Sequence, residues 1–402
     1  MSGMNQTPTG ERVHIAFLGR RNVGKSSLVN AFAGQALAIV SDVKGTTTDP
    51  VSKAMELLPM GPVQIIDTPG IDDEGALGEL RVQKTRQVLN KTDLAIVVAD
   101  ACVGLTKSEE ELLSLIKQKG IPCLLVWNKC DLLDAVPEDT ESALWVSAAK
   151  GTNIRALKER VARLTAGPDS GRVLISDLLR PGDGVVLVIP IDSAAPKGRL
   201  ILPQQQVMRD ALEAEALPMA CQPQGLPLLL KQLARPPRLV VTDSQAFAQV
   251  NQLVPEHIPL TSFSILMARY KGSLPLAVAG ATAVDGLRNG DRVLIAEGCT
   301  HHRQCEDIGT VKLPRWIRQH TGAEPEFHFT SGIEFPEDLS GFSLVVHCGG
   351  CMLNEREIQH RLRTAQAQGV PVTNYGILIA YLNGILKRAL APFPHLADLL
   401  KE

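Results

Sequence analysis

Residues 19–27 read GRRNVGKSS, entered from the apolar run VHIAFLG and left through KSSLVNAFAG. The pattern G-x-x-x-x-G-K-[ST] has its fixed members at Gly19, Gly24, Lys25 and Ser26. Glycines let backbone N–H groups wrap phosphate oxygens, and the start of a helix adds positive potential. Lys25 then reaches the β- and γ-phosphates, while the Ser26 hydroxyl ligates Mg²⁺ beside Ser27. A loop of this kind works only between a strand and a helix, so its presence already demands an α/β domain.

The rest of the first third agrees. From Val13 to about Leu164 short apolar runs alternate with amphipathic stretches, as in PVQIIDT, DLAIVVAD, SEEELLSLIKQ, PCLLVWN and ALWVSA. Continuous apolar strands separated by helices imply a parallel sheet covered on both faces, a doubly wound fold. Three further segments close these strands in order. DTPG supplies Asp67, a Mg²⁺ partner through water, and Gly70, whose N–H can sense a γ-phosphate. NKCD supplies Asn128, Lys129 and Asp131, and SAAKG adds Ser147 and Ala148 as donors to the base carbonyl. A carboxylate acceptor pairs with the N1–H and 2-amino donors of guanine; adenine offers no such pair, and a buried acceptor left unpaired costs ~1 to 3 kcal/mol. The nucleotide is therefore read as GTP/GDP.

This stretch resembles the Ras-like GTPases that include Era, Der and TrmE. The resemblance makes KGTTTD at 44–49 a switch segment, with Thr47 as its threonine and Thr46 and Thr48 as alternatives. It makes Asn22 the residue that helps place K⁺ beside the phosphates, and it puts Lys25, Thr47 and Gly70 at the catalytic centre. Ile71 stands where the Ras pattern has its glutamine. Turnover is accordingly expected to be slow, near the ~10⁻⁴ to 10⁻² s⁻¹ of unassisted relatives.

The chain has 402 residues, enough for two or three domains. Lys plus Arg (41) nearly balances Asp plus Glu (43), so the basic field of a nucleic-acid or membrane-surface binder is missing. No apolar run approaches the ~20 residues of a bilayer span, and the N-terminus lacks a signal-peptide pattern. The protein is read as cytoplasmic, where eight cysteines do not form a disulfide framework. Cys102, Cys123, Cys130 and Cys221 lie singly in apolar context and are expected to be buried small hydrophobes. Cys299, Cys305, Cys348 and Cys351 are clustered, in CTHHRQCEDIG and HCGGC. Cys299 and Cys348 each follow an apolar run; if both runs are parallel strands of one sheet, their carboxyl ends meet at one edge. On spacing alone a Cys₃His zinc site and an iron-sulfur site fit equally well, with a Cys-x-x-Cys redox pair as the lesser alternative because no thioredoxin-like context precedes it. Candidates for the fourth position are Glu306, His301, His302 and His347, with Cys305 as a Cys₄ alternative. Between these regions the stretch to about residue 260 reads as a small α/β unit without a chemical constellation, and GSLPLAVAGATAV reads as the first strand of the last region. No internal repeat is evident.

A GTPase followed by Cys-x-His and, much later, His-Cys-x-x-Cys resembles HydF, the family of [FeFe]-hydrogenase maturation GTPases. The motif residues are Cys299, His301, His347, Cys348 and Cys351. The resemblance implies a Ras-like GTPase domain at 10–167, a small α/β dimerisation domain at 172–260 and a C-terminal α/β domain at 265–402. It implies a [4Fe-4S] cluster on Cys299, Cys348 and Cys351, with Glu306, His301 or His347 at or beside its open corner. It implies a homodimeric scaffold or carrier of a diiron subcluster, working with the radical-SAM maturases HydE and HydG and the apo-hydrogenase HydA, without nucleic acid or membrane. The alternative is an RNA-associated GTPase of the Era or TrmE kind with a structural zinc site.

Overall fold

The computed structural model describes residues 7, 9–34, 50–58, 60–70, 76–165, 173–191, 200–298, 307–332 and 334–400. The chain divides into two compact units, Met1–Gly171 and Arg172–Glu402.

Among the described residues the first unit is built on six strands: β1 (Val13–Leu18), β2 (Val51–Leu57), β3 (Gly61–Asp67), β4 (Leu94–Asp100), β5 (Cys123–Asn128) and β6 (Ala143–Trp145). They lie in the order β2-β3-β1-β4-β5-β6, and only β2 runs antiparallel to its neighbour. Because side chains alternate across a strand, Ile15 and Phe17 of β1 pack with Leu28, Phe32, Leu157 and Val161 of two helices on one face. Ala16 and Leu18 pack with Val88, Leu112 and Ile116 of two helices on the other. This is the doubly wound arrangement that the alternating pattern predicts.

Among its described residues the second unit holds eight strands: β7 (Gly184–Val188), β8 (Leu217–Cys221), β9 (Leu239–Thr242), β10 (Leu260–Ser262), β11 (Arg292–Ala296), β12 (Glu326–Thr330), β13 (Leu344–His347) and β14 (Val372–Asn374). They form two all-parallel sheets, β10-β9-β7-β8 and β12-β11-β13-β14. Read from its first strand, each sheet has the same order, so the unit is a structural duplication, contrary to the sequence expectation of no repeat. The local details agree. Arg180 N–H and Arg288 N–H donate to Asp183 and Asp291 at 2.9 and 2.8 Å in matching turns, each with a glycine at φ near +80° (Gly182, Gly290). Ser262 and Asn374 cap matching helices, Phe263–Tyr270 and Tyr375–Leu382, by accepting from Ile265 N–H and Ile377 N–H.

The two matching helices pack on each other at their equivalent residues Ser264 and Gly376. A Cβ on Gly376 would lie 2.2 Å from that of Ser264, which is why the second position is glycine. The residues 274–281, expected as a strand, form a helix, Leu274–Ala281. A short apolar run does not distinguish strand from buried helix by periodicity; here Pro275 opens the helix, and Gly280 lets it lie against the Val372 backbone of β14, where an added Cβ would come within 2.1 Å of the carbonyl oxygen. Among the described residues no helix is long and apolar enough to cross a membrane.

Candidate functional site

The phosphate loop spans β1 and the helix Lys25–Ala33, as its motif requires. Gly19 has φ +144° and its added Cβ would lie 2.2 Å from Val98 O; Gly24 has φ +87° and would meet Asn128 Nδ2 at 2.4 Å. Both are glycine for steric reasons that Ala would violate. Asn22 also takes a positive φ of 61°, at the crown of the loop. The Lys25 ammonium is buried and donates to Gly19 O at 2.9 Å and to Arg20 O, so it is held over the loop.

Ser26 Oγ donates to Asp67 Oδ2 at 2.7 Å, bringing the loop hydroxyl and the strand-end carboxylate together. The other oxygen, Asp67 Oδ1, is buried with no hydrogen-bond partner among the described residues. An orphaned carboxylate oxygen beside a serine hydroxyl fits a hard cation such as Mg²⁺. Burial raises the Asp67 pKa, although the Ser26 hydroxyl and the Lys25 ammonium pull it down. Gly70 follows in a buried extended turn, while Thr47 and Ile71 lie outside the described residues.

The base side is assembled from β5 and the segment after β6. Asn128 spans the site: its Nδ2 donates to Val23 O at 2.8 Å, and its Oδ1 accepts from Ala148 N–H at 3.0 Å. Lys129 adopts φ +67°, and its ammonium meets Asp100 Oδ2 at 2.6 Å. Burial tends to raise Asp100, but the contact with Lys129 outweighs it and the pKa falls. Asp131 is exposed at the head of the following turn, and Ser147 is buried with its hydroxyl accepting from Lys150 N–H at 3.1 Å.

Two members of this site escape motif reading. Asp100 orders Lys129, and Glu109, fully buried, pairs with Arg20 of the phosphate loop at 3.1 Å. The available signal for Glu109 is T-x-x-E at 106–109, a capping box whose Glu109 accepts from Thr106 N–H at 2.9 Å. Cys102, expected to be buried, sits exposed on the turn after β4, because the apolar run ends at Ala99 and the chain there has left the sheet.

In the second unit, β11 and β13 are parallel neighbours, with Ala296 beside His347. Their carboxyl ends therefore share one edge. Cys348 and Cys351 carry free thiols in the turn after β13. Cys348 Sγ accepts from Gly298 N–H at 3.0 Å and from Gly350 N–H at 3.3 Å. The first of these bonds puts the chain that leads into Cys299 at the Cys348 sulfur. Burial pushes the Cys348 thiol up, against the pull of those two N–H groups. Cys299, His301, His302, Cys305 and Glu306 lie outside the described residues; among the described ones no three His, Cys, Asp or Glu side chains group as a metal site.

His347 is buried with both nitrogens engaged. Its Nδ1 bonds Cys348 O at 2.7 Å, and its Nε2 meets the Arg361 guanidinium at 3.1 Å. Arg361 carries no acceptor, so Nε2 is the acceptor and Nδ1 the donor of a neutral ring. Burial, reinforced by Arg361, lowers the His347 pKa to about 3. Arg361 is itself held by Glu357 at 2.9 Å and by Gly332 O at 2.7 Å.

Similarity to known proteins follows the same division. Residues 14–129 match the domain described as 50S ribosome-binding GTPase. Residues 174–272 match the hydrogen maturase F dimerization domain, and residues 275–392 match the hydrogen maturase F tetramerization domain. Among curated relatives, the tRNA modification GTPase MnmE of Nitrosospira multiformis is 34% identical over 156 residues, 37% of this chain and 34% of that protein. MnmE of Carboxydothermus hydrogenoformans is 43% identical over 125 residues, 31% of this chain and 26% of that protein. The chain thus spans about a third of the length of these relatives. Among solved structures, Aquifex aeolicus Era bound to GDP and AlF₄⁻ is 21% identical, with a TM-score of 0.35 over 55% of this chain and 98% of that one. The G domain of the T. maritima FeoB iron transporter is 23% identical, with a TM-score of 0.29 over 38% of this chain and 99% of that one. The first unit is a GTPase domain, the two hydrogen maturase F domains account for more than half of the chain, and the protein belongs to the hydrogen maturase F (HydF) family of hydrogenase-maturation GTPases.

Proposed function

We propose that this protein is a GTP-hydrolysing iron-sulfur scaffold that carries and delivers the diiron subcluster of [FeFe]-hydrogenase. The observation that carries the reading is the coexistence, in one chain, of the guanine-nucleotide site and a Cys348–Cys351 turn whose first sulfur is bonded by the residue preceding Cys299. Three thiolates would hold a [4Fe-4S] cluster, which supplies one iron with an exchangeable ligand. The fourth position goes to Glu306 or His301; the two hydrogen bonds of His347 favour an outer role in which it orients Cys348.

On the nucleotide side, Gly19, Gly24, Lys25, Ser26 and Ser27 bind the phosphates, and Ser26, Asp67 and Thr47 hold Mg²⁺. Asn128, Lys129, Asp131, Ser147 and Ala148 select guanine. Turnover is slow for want of a glutamine at residue 71 and is raised by K⁺ through Asn22. The chain works in the cytoplasm as a homo-oligomer with the maturases HydE and HydG and the hydrogenase HydA, and binds neither RNA nor membrane. Three domains follow the ranges 10–167, 172–260 and 265–402, with the boundary inside the second unit shifted to Gly272 so that β10 keeps its helix.

Anaerobic purification and reconstitution, followed by iron and sulfide analysis and EPR of the reduced protein, test the reading. About four irons per chain, lost in Cys348→Ser, is the expected result. Stoichiometric zinc without an EPR signal would replace the cluster with the structural-zinc reading, and tight salt-dependent RNA retention would move the protein to the RNA-associated class.

A further inference from the structure

Lys271 is 6% exposed, and it ends the helix Phe263–Tyr270 of the first half of the duplicated unit. Its ammonium reaches into the second half and donates to Gly350 O and, at 2.8 Å, to Leu353 O. Both acceptors belong to the turn that carries Cys348 and Cys351. The backbone on either side of Lys271 is itself fixed, because Gln359 Nε2 donates to Lys271 O at 2.7 Å. Lys271, His347, Cys348 and Arg361 also line one small cavity of about 30 Å³.

We propose that Lys271 is a positioning residue for the thiol site: it pins the Cys348–Cys351 turn in the shape in which the Cys348 sulfur meets Gly298 N–H at the end of β11. The physical argument starts from the turn itself. Gly350 sits at φ +61° and its neighbour Gly349 is exposed with open space around it, so within the turn the long 3.3 Å bond from Gly350 N–H to Cys348 Sγ is a weak restraint. Two hydrogen bonds from one cationic donor to carbonyls three residues apart restrict that freedom, and charge-assisted bonds of this kind are the stronger class. Opening the turn breaks both bonds and leaves a buried ammonium without those acceptors, which couples the turn to the ammonium rather than to the strand alone. Lys271 falls within residues 174–272, matched to the dimerization domain, whereas the thiols fall within 275–392. The pin therefore ties the thiol geometry to the half of the unit that is not its own.

The meaning of the pin for metallocluster chemistry rests on the proposed function, but its test does not. In metal-free, reduced full-length protein, the alkylation rates of Cys348 and Cys351 by iodoacetamide are followed by mass spectrometry for wild type, Lys271→Met and Lys271→Arg. Loss of charge-assisted bonds of ordinary strength predicts a rate in Lys271→Met at least about tenfold above wild type, with Lys271→Arg, which keeps cation and donors, within about twofold of wild type. Circular dichroism and unperturbed GTP turnover in the first unit report that the variants are folded; if Lys271→Met does not fold, Lys271→Gln, which keeps one donor group without the charge, is read in the same way. A wild-type rate in Lys271→Met or Lys271→Gln, or a failure of Lys271→Arg to restore protection, overturns the proposal. If wild type binds zinc in place of a cluster while the alkylation pattern holds, the pin stands and the cluster reading alone fails.

Discussion

Replacing Gly376 by alanine probes the duplication directly. The new methyl would lie 2.2 Å from Ser264 Cβ, 2.6 Å from Ser264 Oγ and 2.7 Å from Ser244 Oγ, where carbon contacts prefer ~3.5 to 4.0 Å. The two helices would have to separate by more than ~1 Å across a contact whose flanking residues Ile265, Leu266, Ile377 and Leu378 are all fully buried. Overpacking costs ~1 to 3 kcal/mol, a 2.2 Å approach between carbons belongs in the upper part of that range at ~2 to 3, and the gain in helix propensity from Gly to Ala returns ~1 kcal/mol. A net loss of ~1 to 2 kcal/mol lowers Tm by ~2 to 8 °C in a unit of this size. Calorimetry of the full-length protein reads that shift in the transition of the second unit. The double variant Ser264→Gly/Gly376→Ala moves the methyl to the other helix and sacrifices the 2.9 Å bond between Ser244 and Ser264, worth ~1 kcal/mol. Against a loss of ~2 kcal/mol it should recover up to about half. Wild-type stability in Gly376→Ala, or a double variant no better than the single one, would refute the account of two halves meeting at equivalent residues.

Other expectations follow from the same geometry. Lys25→Ala removes the ammonium held over the phosphate loop and should reduce GTP hydrolysis below detection in a phosphate-release assay, while the iron of the cluster proposed for the other unit should stay at the wild-type level. Turnover in K⁺ should exceed that in Na⁺, and Asn22→Ala should erase the difference; equal rates in wild type would remove that role. The neutral His347 ring gives a pH signature: the unfolded chain takes up a proton below about 6.5, whereas the folded site resists protonation down to about 3. The stabilisation is complete above pH 6.5 and is lost as pH falls toward 3, by up to ~1.4 kcal/mol per unit. Urea unfolding of metal-free protein at pH 7.5 and 5.5 should show that loss, and His347→Gln should flatten it.

The nucleotide site was legible because each of its contacts comes from a short segment at a strand end. Gly24, Asp67, Asn128 and Ala148 are far apart in the chain but follow β1, β3, β5 and β6, parallel strands of one sheet, so motifs at separate strand ends converge on one edge. Asp100 and Glu109 were missed because each acts through one side chain, on Lys129 and Arg20, with no spacing to mark it. The helix Leu274–Ala281 was misread because eight apolar residues carry no period; only its seat against β14, through Gly280, decides the matter.

By itself the sequence determined a doubly wound GTPase domain with guanine as its base. Those conclusions depend on local backbone chemistry, which a linear motif encodes completely. The tertiary structure alone decided that the second unit is a duplication, that His347 spends both nitrogens on Cys348 O and Arg361, and that Lys271 reaches from one half into the thiol turn of the other. The two halves keep alike only what their fold needs, a glycine turn, a helix cap and a close helix crossing, and divergence elsewhere hides the repeat. Buried partners such as Lys271 and Arg361 are selected by what surrounds them in space, and a chain read in order does not contain that neighbourhood.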